Sequence, residues 1–290
     1  QNNKIMKFVH ITSPVKVSEN RDLFFAQPIT FETFRIAKEV ASSSLYIKQC
    51  TVQFEEDREV VPEYISLLEN LKTSIQDLGN FESKFPFIHE ILNIAYQYSE
   101  GFDYMIYGNV DISLMPYFYN SIFEFIREGH DAIVINRRSI TDKYRTKKDL
   151  PLMWAEVGET HPGWDCFVFK RNLYPKFNLG KGVIGAVSIG RILLYNLMFH
   201  SENFLELKHA HLTFHLGFSA TSNRQYTDKN WIKANIHNDE QLEKILNEMI
   251  LAANDKDLSW AHRELGDLCK RRKKYNEGLY GAKRFFGYWK

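Results

Sequence analysis

The chain has 290 residues, 44% of them hydrophobic and 25% charged, with a net charge of +1. That length holds one large α/β domain or two small ones with a sizeable core, and the balanced charge excludes an overall nucleic-acid-binding signature. Three widely separated cysteines, Cys50, Cys166 and Cys269, with no C-x-x-C pair, argue against a disulfide framework or a cysteine zinc site and fit a reducing cytoplasm.

Lys4–Thr12 is apolar and β-branched and reads as a first strand, ending at Ser13-Pro14. Gln27–Ala41 has apolar residues at helical spacing. Ser44–Phe54 reads as a second strand with an acidic exit. Tyr64–Leu78 and Phe87–Tyr98 read as amphipathic helices, the latter started by Pro86. Tyr104–Tyr107 is a strand, Met115–Arg127 a helix and Asp131–Arg137 a strand. This alternation predicts a largely parallel sheet with helices on both faces. Further on, Asp165–Lys170 is a short strand after a polar loop, and Arg191–Phe199 is a helix. Phe204–His215 has β character, and Glu240–Ala253 is a periodic helix. No run of about 20 apolar residues occurs, so no helix spans a membrane. The start, Gln1-Asn2-Asn3-Lys4, has neither an initiator Met nor an apolar signal core and reads as a piece excised from a longer protein.

Several clusters carry candidate chemistry. Asn109 and Asp111 follow the apolar strand, at the edge where ligands collect in open α/β sheets. Two residues apart, they point to one side of an extended backbone and offer oxygen ligands to Mg²⁺ or Mn²⁺; the plain alternative is an Asx turn. His161-Pro162-Gly163-Trp164-Asp165 reads as a tight turn presenting an aromatic face and a carboxylate. That pair can stack on a sugar ring and take a proton, or serve as a core Trp beside a surface Asp. His209, His211 and His215 share one face if their segment is a strand, and imidazole suits zinc. Thr12 and Ser13 supply hydroxyls after the first strand, or a plain connection. Arg137, beside Arg138, can neutralise a diphosphate or lie solvated. Gly180, Gly182 and Gly185 match G-x-G-x-x-G by spacing but lack the strand leading directly into them, so a flexible loop is the expectation. Neither a P-loop nor a G-x-S-x-G elbow is present. Aromatics make up 14% of the chain, either a Phe-rich core or rings lining a cleft.

The order of these features over residues 4–217 resembles that of GT-A-type glycosyltransferases. Asn109-x-Asp111 resembles their x-D-x-D motif with Asn in the first acidic position. Gly163-Trp164-Asp165 is similar to their acceptor-side segment, and His215 to their late metal-ligating His. The resemblance implies an α/β fold, a GT-A-like Rossmann-type mixed sheet flanked by helices, with a helical C-terminal extension. It implies a catalytic domain over residues 1–250 and a basic, aromatic helical extension over 251–290. The implied reaction moves a sugar from a UDP or GDP donor to a hydroxyl on a glycan or lipid-linked acceptor, in polysaccharide or glycoconjugate assembly. Thr12, Ser13, Asn109, Asp111 and Arg137 would hold the donor, and Asp111, Asn109 and His215 a divalent cation, Mn²⁺ or Mg²⁺. Trp164 and His161 would bind the acceptor, and Asp165, the catalytic residue, would orient the acceptor or act as general base. Two rival readings are a degenerate, non-catalytic GT-A domain that binds a glycan or partner protein, and a sugar nucleotidyltransferase. No nucleic-acid partner is expected. Lys270–Lys274, followed by Tyr280, Phe285, Phe286, Tyr288 and Trp289, suggests peripheral contact of a cytoplasmic protein with the inner face of the membrane through Lys270–Lys290.

Overall fold

The protein is described as a computed structural model over residues 5–218, 228–253 and 256–276, with backbone alone for 274–276. The aromatic residues expected to contact membrane, Tyr280 to Trp289, lie outside the described residues. Among the described residues nine strands form one sheet: β1 (Met6–Thr12), β2 (Leu45–Thr51), β3 (Ser66–Leu67), β4 (Tyr104–Gly108), β5 (Ser113–Leu114), β6 (Ala132–Ile140), β7 (Glu159–Lys170), β8 (Phe204–Leu207) and β9 (Thr213–Leu216). Among the described residues seven helices accompany them: α1 (Leu23–Val40), α2 (Ile88–Tyr98), α3 (Phe118–Arg127), α4 (Leu150–Ala155), α5 (Ile189–His200), α6 (Lys229–Ala252) and α7 (Ser259–Asn276). The order across the sheet is β3-β2-β1-β4-β7-β6-β9-β5, with β8 also paired to β6.

Contacts divide the chain into two compact units. The first comprises Gln1–Lys72, Ile91–Phe177 and His200–Phe218, and the second Thr73–Glu90, Asn178–Phe199 and Ser219–Lys290.

The first unit holds the whole sheet. β1, β4 and β6 are near-continuous apolar runs because both of their faces are covered; Phe8, Val9, Met105, Ile106, Ile133 and Val134 have no exposure. On one face Phe34, Phe118, Tyr119 and Ile122 pack against Phe8, Ile106, Ile133 and Val168. The expectation of a largely parallel sheet holds for β3, β2, β1, β4, β6, β8 and β9, which run one way, and β7 and β5 depart from it. β7 inserts between β4 and β6 and runs antiparallel to both. The cause is long-range pairing of a strand encoded later in the chain, which β/α alternation does not report.

Two further expectations are corrected. Tyr64–Leu78 is not a helix. Its chain follows the edge of β2: Leu68 and Leu71 donate backbone N–H to Thr51 and Gln53 carbonyls. Ile75–Leu78 is a single 3-10 turn capped by Ser74 and Asp77. Ile65, Leu68 and Leu71 are buried along that edge, and Ile75 is buried in the core of the second unit, so the helical spacing was satisfied without a helix. Likewise β7 starts at Glu159, not Asp165. The ladder with β6 skips between Asn136–Trp164 and Arg138–Thr160, and again between Ile135–Cys166 and Asn136–Trp164. These bulges absorb Pro162, which has no N–H to offer, and Gly163, so no free turn forms. Gly158 leads into β7 with φ +63°, and a Cβ there would come within 2.3 Å of the Ser139 carbonyl oxygen. Gly158→Ala is therefore expected to lower stability by about 1–3 kcal/mol, read as a lower urea midpoint; an unchanged midpoint would show that the connection relaxes freely.

The second unit is built on α5, α6 and α7. Ile75, Phe87, Val183, Ala186 and Ala234 form its apolar core. The glycine-rich loop is strapped down: Asn238 on α6 takes the Val183 N–H at 2.8 Å and donates to the Val183 carbonyl at 2.9 Å, and Asn235 takes the Val187 N–H. The flexible-loop expectation is thereby corrected. In the basic run, Lys270 pairs with Asp267, Arg271 with Asp239 and Glu264, and Arg272 with Glu243. Arg271 is only 15% exposed and ties α7 to α6 within this unit. Among the described residues no helix is long and apolar enough to cross a membrane.

Candidate active site at the carboxyl edge of the central strands

β4 ends at Gly108, and the chain turns at Asn109, where the Ile112 N–H closes onto the Asn109 carbonyl at 3.0 Å. The turn delivers Asp111 to His215 on β9: Nε2 of His215 lies 3.3 Å from Oδ2 of Asp111. The other ring nitrogen, Nδ1, faces the Gly217 carbonyl at 3.3 Å. Both nitrogens therefore look at acceptors. Burial pushes the Asp111 carboxyl up, but the hydrogen bond from His215 and the charges of His215 and Arg137 outweigh it and hold the group below its usual range.

Asp165 stands on the other side of Asn109. The Asn109 N–H meets the Asp165 carbonyl at 3.3 Å, and the Asn109 amide nitrogen lies 3.4 Å from Oδ1 of Asp165. Tyr107 donates its hydroxyl to the Asn109 side-chain oxygen at 3.4 Å. This geometry gives a reason for Asn at 109: an Asp there would set two carboxylates against each other. Arg137 of β6 completes the cluster, with Nη1 2.9 Å from Oδ2 of Asp165 and both side chains nearly buried, 7% and 12% exposed. Its Nη2 lies 3.4 Å from Nε2 of His161, and its Nε is buried without a partner. His161 accepts the Gly163 N–H on Nδ1 at 2.9 Å. Burial first, and the Arg137 charge second, hold its ring down to about 4, so it is neutral at pH 7.

Trp164 and Asp165 take different partners. The indole N–H of Trp164 reaches Glu206 on β8 at 2.8 Å, whereas the Asp165 carboxylate turns to Asn109 and Arg137. Thr12 ends β1 at the same sheet edge, since Ile11 pairs with Tyr107. It is fully buried, and its hydroxyl has no partner. Ser13 is half-buried just beyond. The cluster's hydrogen bonds and ion pairs do not extend to either residue. The three histidines do not share a strand face. His209 and His211 lie in the turn between β8 and β9, and only His215 is in a strand.

Among the described residues no group of three or more His, Cys, Asp or Glu side chains is placed to hold a metal. Asp111 and His215 form a pair. Their 3.3 Å separation is close to the roughly 3.0 Å expected between neighbouring ligands of an octahedral ion bound at about 2.1 Å. A two-residue set of this kind fits a cation that completes its shell with phosphate and water. Tyr107, Glu206, Gly217 and Asn136, whose amide nitrogen lies 3.4 Å from the His161 carbonyl, were not legible as site residues. Tyr107 looked like another core aromatic, and Glu206 gained its role only when β8 came to lie beside β6.

In fold the chain is similar to solved structures of S. aureus TarS 1-349. The chain superposes on the complex with UDP-GlcNAc at TM-score 0.52 and 12% identity, over 93% of this chain and 73% of that one. For the UDP complex the values are 0.51 and 11%, over 96% and 76%. The fold is of the GT-A type. No family model matches the sequence, and no curated protein matches it. The GT-A sheet accounts for the site's position: the carboxyl ends of β1 and β4 and the bulged segment of β7 meet at one edge, where an open α/β sheet receives its ligand.

Proposed function

We propose that the chain is a glycosyltransferase that moves a sugar from a nucleoside diphosphate donor to a hydroxyl on a glycan or lipid-linked acceptor. The observation that carries this reading is the Asp111–His215 pair facing the Asn109–Asp165–Arg137 cluster at one sheet edge. The likeness to TarS bound to UDP and UDP-GlcNAc supports UDP as the donor nucleotide. Asp111 and His215, with Asn109 as a further oxygen ligand, would hold Mn²⁺ or Mg²⁺. When bound, such an ion supplies positive charge to the leaving diphosphate.

The chain's own residues do the rest. Arg137 is poised between Asp165 and His161 and lends positive charge where the diphosphate would approach. The Asp165 carboxylate, fixed by Arg137 and Asn109, orients the acceptor hydroxyl and takes its proton. Trp164, its indole N–H tied to Glu206, offers a ring face to the acceptor, and neutral His161 a hydrogen-bonding group. Ser13, half-buried just past β1, would meet the nucleoside, with the buried Thr12 behind it.

The test is a thermal-shift series. UDP with Mn²⁺ is expected to stabilise the protein by about 2.7 kcal/mol at a hundredfold excess over the dissociation constant, and UDP alone by less. Asp111→Ala and His215→Ala should fold and lose the metal-dependent part. A metal-dependent shift that survives both substitutions would overturn the assignment. Nucleotide binding without sugar transfer or donor hydrolysis would instead mark a non-catalytic GT-A domain.

A further inference from the structure

The segment after β6 has an inverted surface. The 3-10 turn Lys147–Asp149 runs directly into α4. Leu150 and Met153 point inward, packed with Ile29, Ile140 and Phe214. The outward face should then be polar, yet it carries Pro151, Leu152 and Ala155, all exposed. Leu152 is 56% exposed, and Val157, just past the helix, is 63% exposed. Lys148 lies four residues before Leu152, on the same side of the continuous helical turn, and Lys147 is exposed beside it.

The loop that leads in adds Lys143 and Arg145, the first over the Tyr144 ring at 4.9 Å and the second over Phe25 at 4.8 Å. Two of the segment's carboxylates are occupied locally. Asp149 accepts the Thr146 N–H and hydroxyl, and Glu156 accepts the Thr141 N–H. Asp142 is exposed, and Lys147 has only a distant partner, Glu32 at 3.9 Å. The surface is thus a short apolar ridge with cations along its approach.

We propose that residues 143–157 dock the protein onto an anionic lipid surface, with Leu152 and Val157 entering the headgroup boundary and Lys143, Arg145, Lys147 and Lys148 meeting lipid phosphates. Charge complementarity selects an anionic partner. The exposed Leu and Val select a lipid bilayer over a soluble polyanion, which has no apolar depth to receive them. The site is distinct from the basic run in α7, where Lys270, Arg271 and Arg272 already have carboxylate partners. It has a mechanical connection to the active-site edge within the first unit. Arg138, next to Arg137, donates to the Val157 and Gly158 carbonyls, and the Ile140 carbonyl takes the N–H of Gly217, beside His215. The inference does not rest on the transferase reading, because binding is measured without donor or acceptor.

The experiment is co-sedimentation of the full chain with vesicles of phosphatidylcholine alone or mixed with phosphatidylglycerol. The intact chain should sediment with the mixed vesicles only, and less so as salt rises. Leu152→Ser with Val157→Ser, and separately Lys147→Glu with Lys148→Glu, should each weaken binding by roughly tenfold or more. Lys270→Glu with Lys273→Glu should leave it unchanged. Circular dichroism checks that each variant folds; these side chains are on the surface, so folding should persist. Three outcomes would overturn the proposal: no vesicle binding by the intact chain, binding that survives both ridge variants, or a dimer in solution that Leu152→Ser dissolves while vesicles go unbound.

Discussion

Replacing Asp165 with Asn is expected to cut turnover by about two orders of magnitude or more while UDP and Mn²⁺ still bind. In the proposed reaction the lost carboxylate is the group that takes the acceptor's proton. The two residues proposed to hold the cation, Asp111 and His215, are bonded to each other rather than to Asp165, so the nucleotide-dependent thermal shift should remain. The substitution should also cost stability. Asp165 and Arg137 form an ion pair at 2.9 Å with side chains 12% and 7% exposed. Removing one charge leaves the other buried and uncompensated, a loss of about 3–5 kcal/mol in comparable sites. Asp165→Asn with Arg137→Gln should recover part of that stability without recovering turnover. This double-mutant comparison separates a chemical role from a structural one. If the single variants are additive in stability, the pair contributes nothing to the fold; if turnover is unchanged in Asp165→Asn, Asp165 is not the base.

Acid should destabilise the protein through His10, well above the usual carboxylate range. His10 is 1% exposed on β1, its ring 4.3 Å from Phe34 and its Nδ1 2.8 Å from the Tyr119 hydroxyl. Its Nε2 is buried with no partner to welcome a proton, and burial pulls the ring down to about 3. In the unfolded chain the ring titrates near 6.5. Between these values the unfolded state binds the proton and the folded state does not. Stability from this residue is therefore complete above pH 6.5 and is lost as pH falls toward 3. About 3 kcal/mol should disappear between pH 6.5 and pH 4. His161, held down to about 4, adds to the loss in the same window. Urea unfolding of wild type and His10→Gln across that range should show a shallower pH slope for the variant, whatever its stability at pH 7. Parallel slopes would mean that His10 protonates freely in the folded state.

The same buried histidine shows how far a sequence speaks. His10 was legible as part of an apolar strand, because its neighbours Phe8, Val9 and Ile11 form a run that only a covered central strand can use. The strands β1, β2, β4 and β6, the helices α1, α3, α5 and α6, and the turn at Asn109 and Asp111 followed from local pattern in the same way. Each depends on side-chain periodicity and turn chemistry within about ten residues. The GT-A resemblance added their order.

Partnership was decided by the tertiary structure. Nothing near Asp165 announces Arg137, 28 residues earlier, as its counter-ion, and nothing near Trp164 announces Glu206; β7 had first to insert between β4 and β6 and β8 to pair with β6. That insertion turned an expected Pro-Gly turn into a bulged strand and aimed Asp165 at Asn109. Tyr64–Leu78 failed as a helix for a related reason: its apolar spacing fits a helix face and a sheet edge equally, and β2 offered unpaired backbone groups. Local pattern sets which residues are buried. Which buried or polar group meets which other is set by pairings between segments far apart in the chain, and those the sequence alone does not encode in any readable spacing.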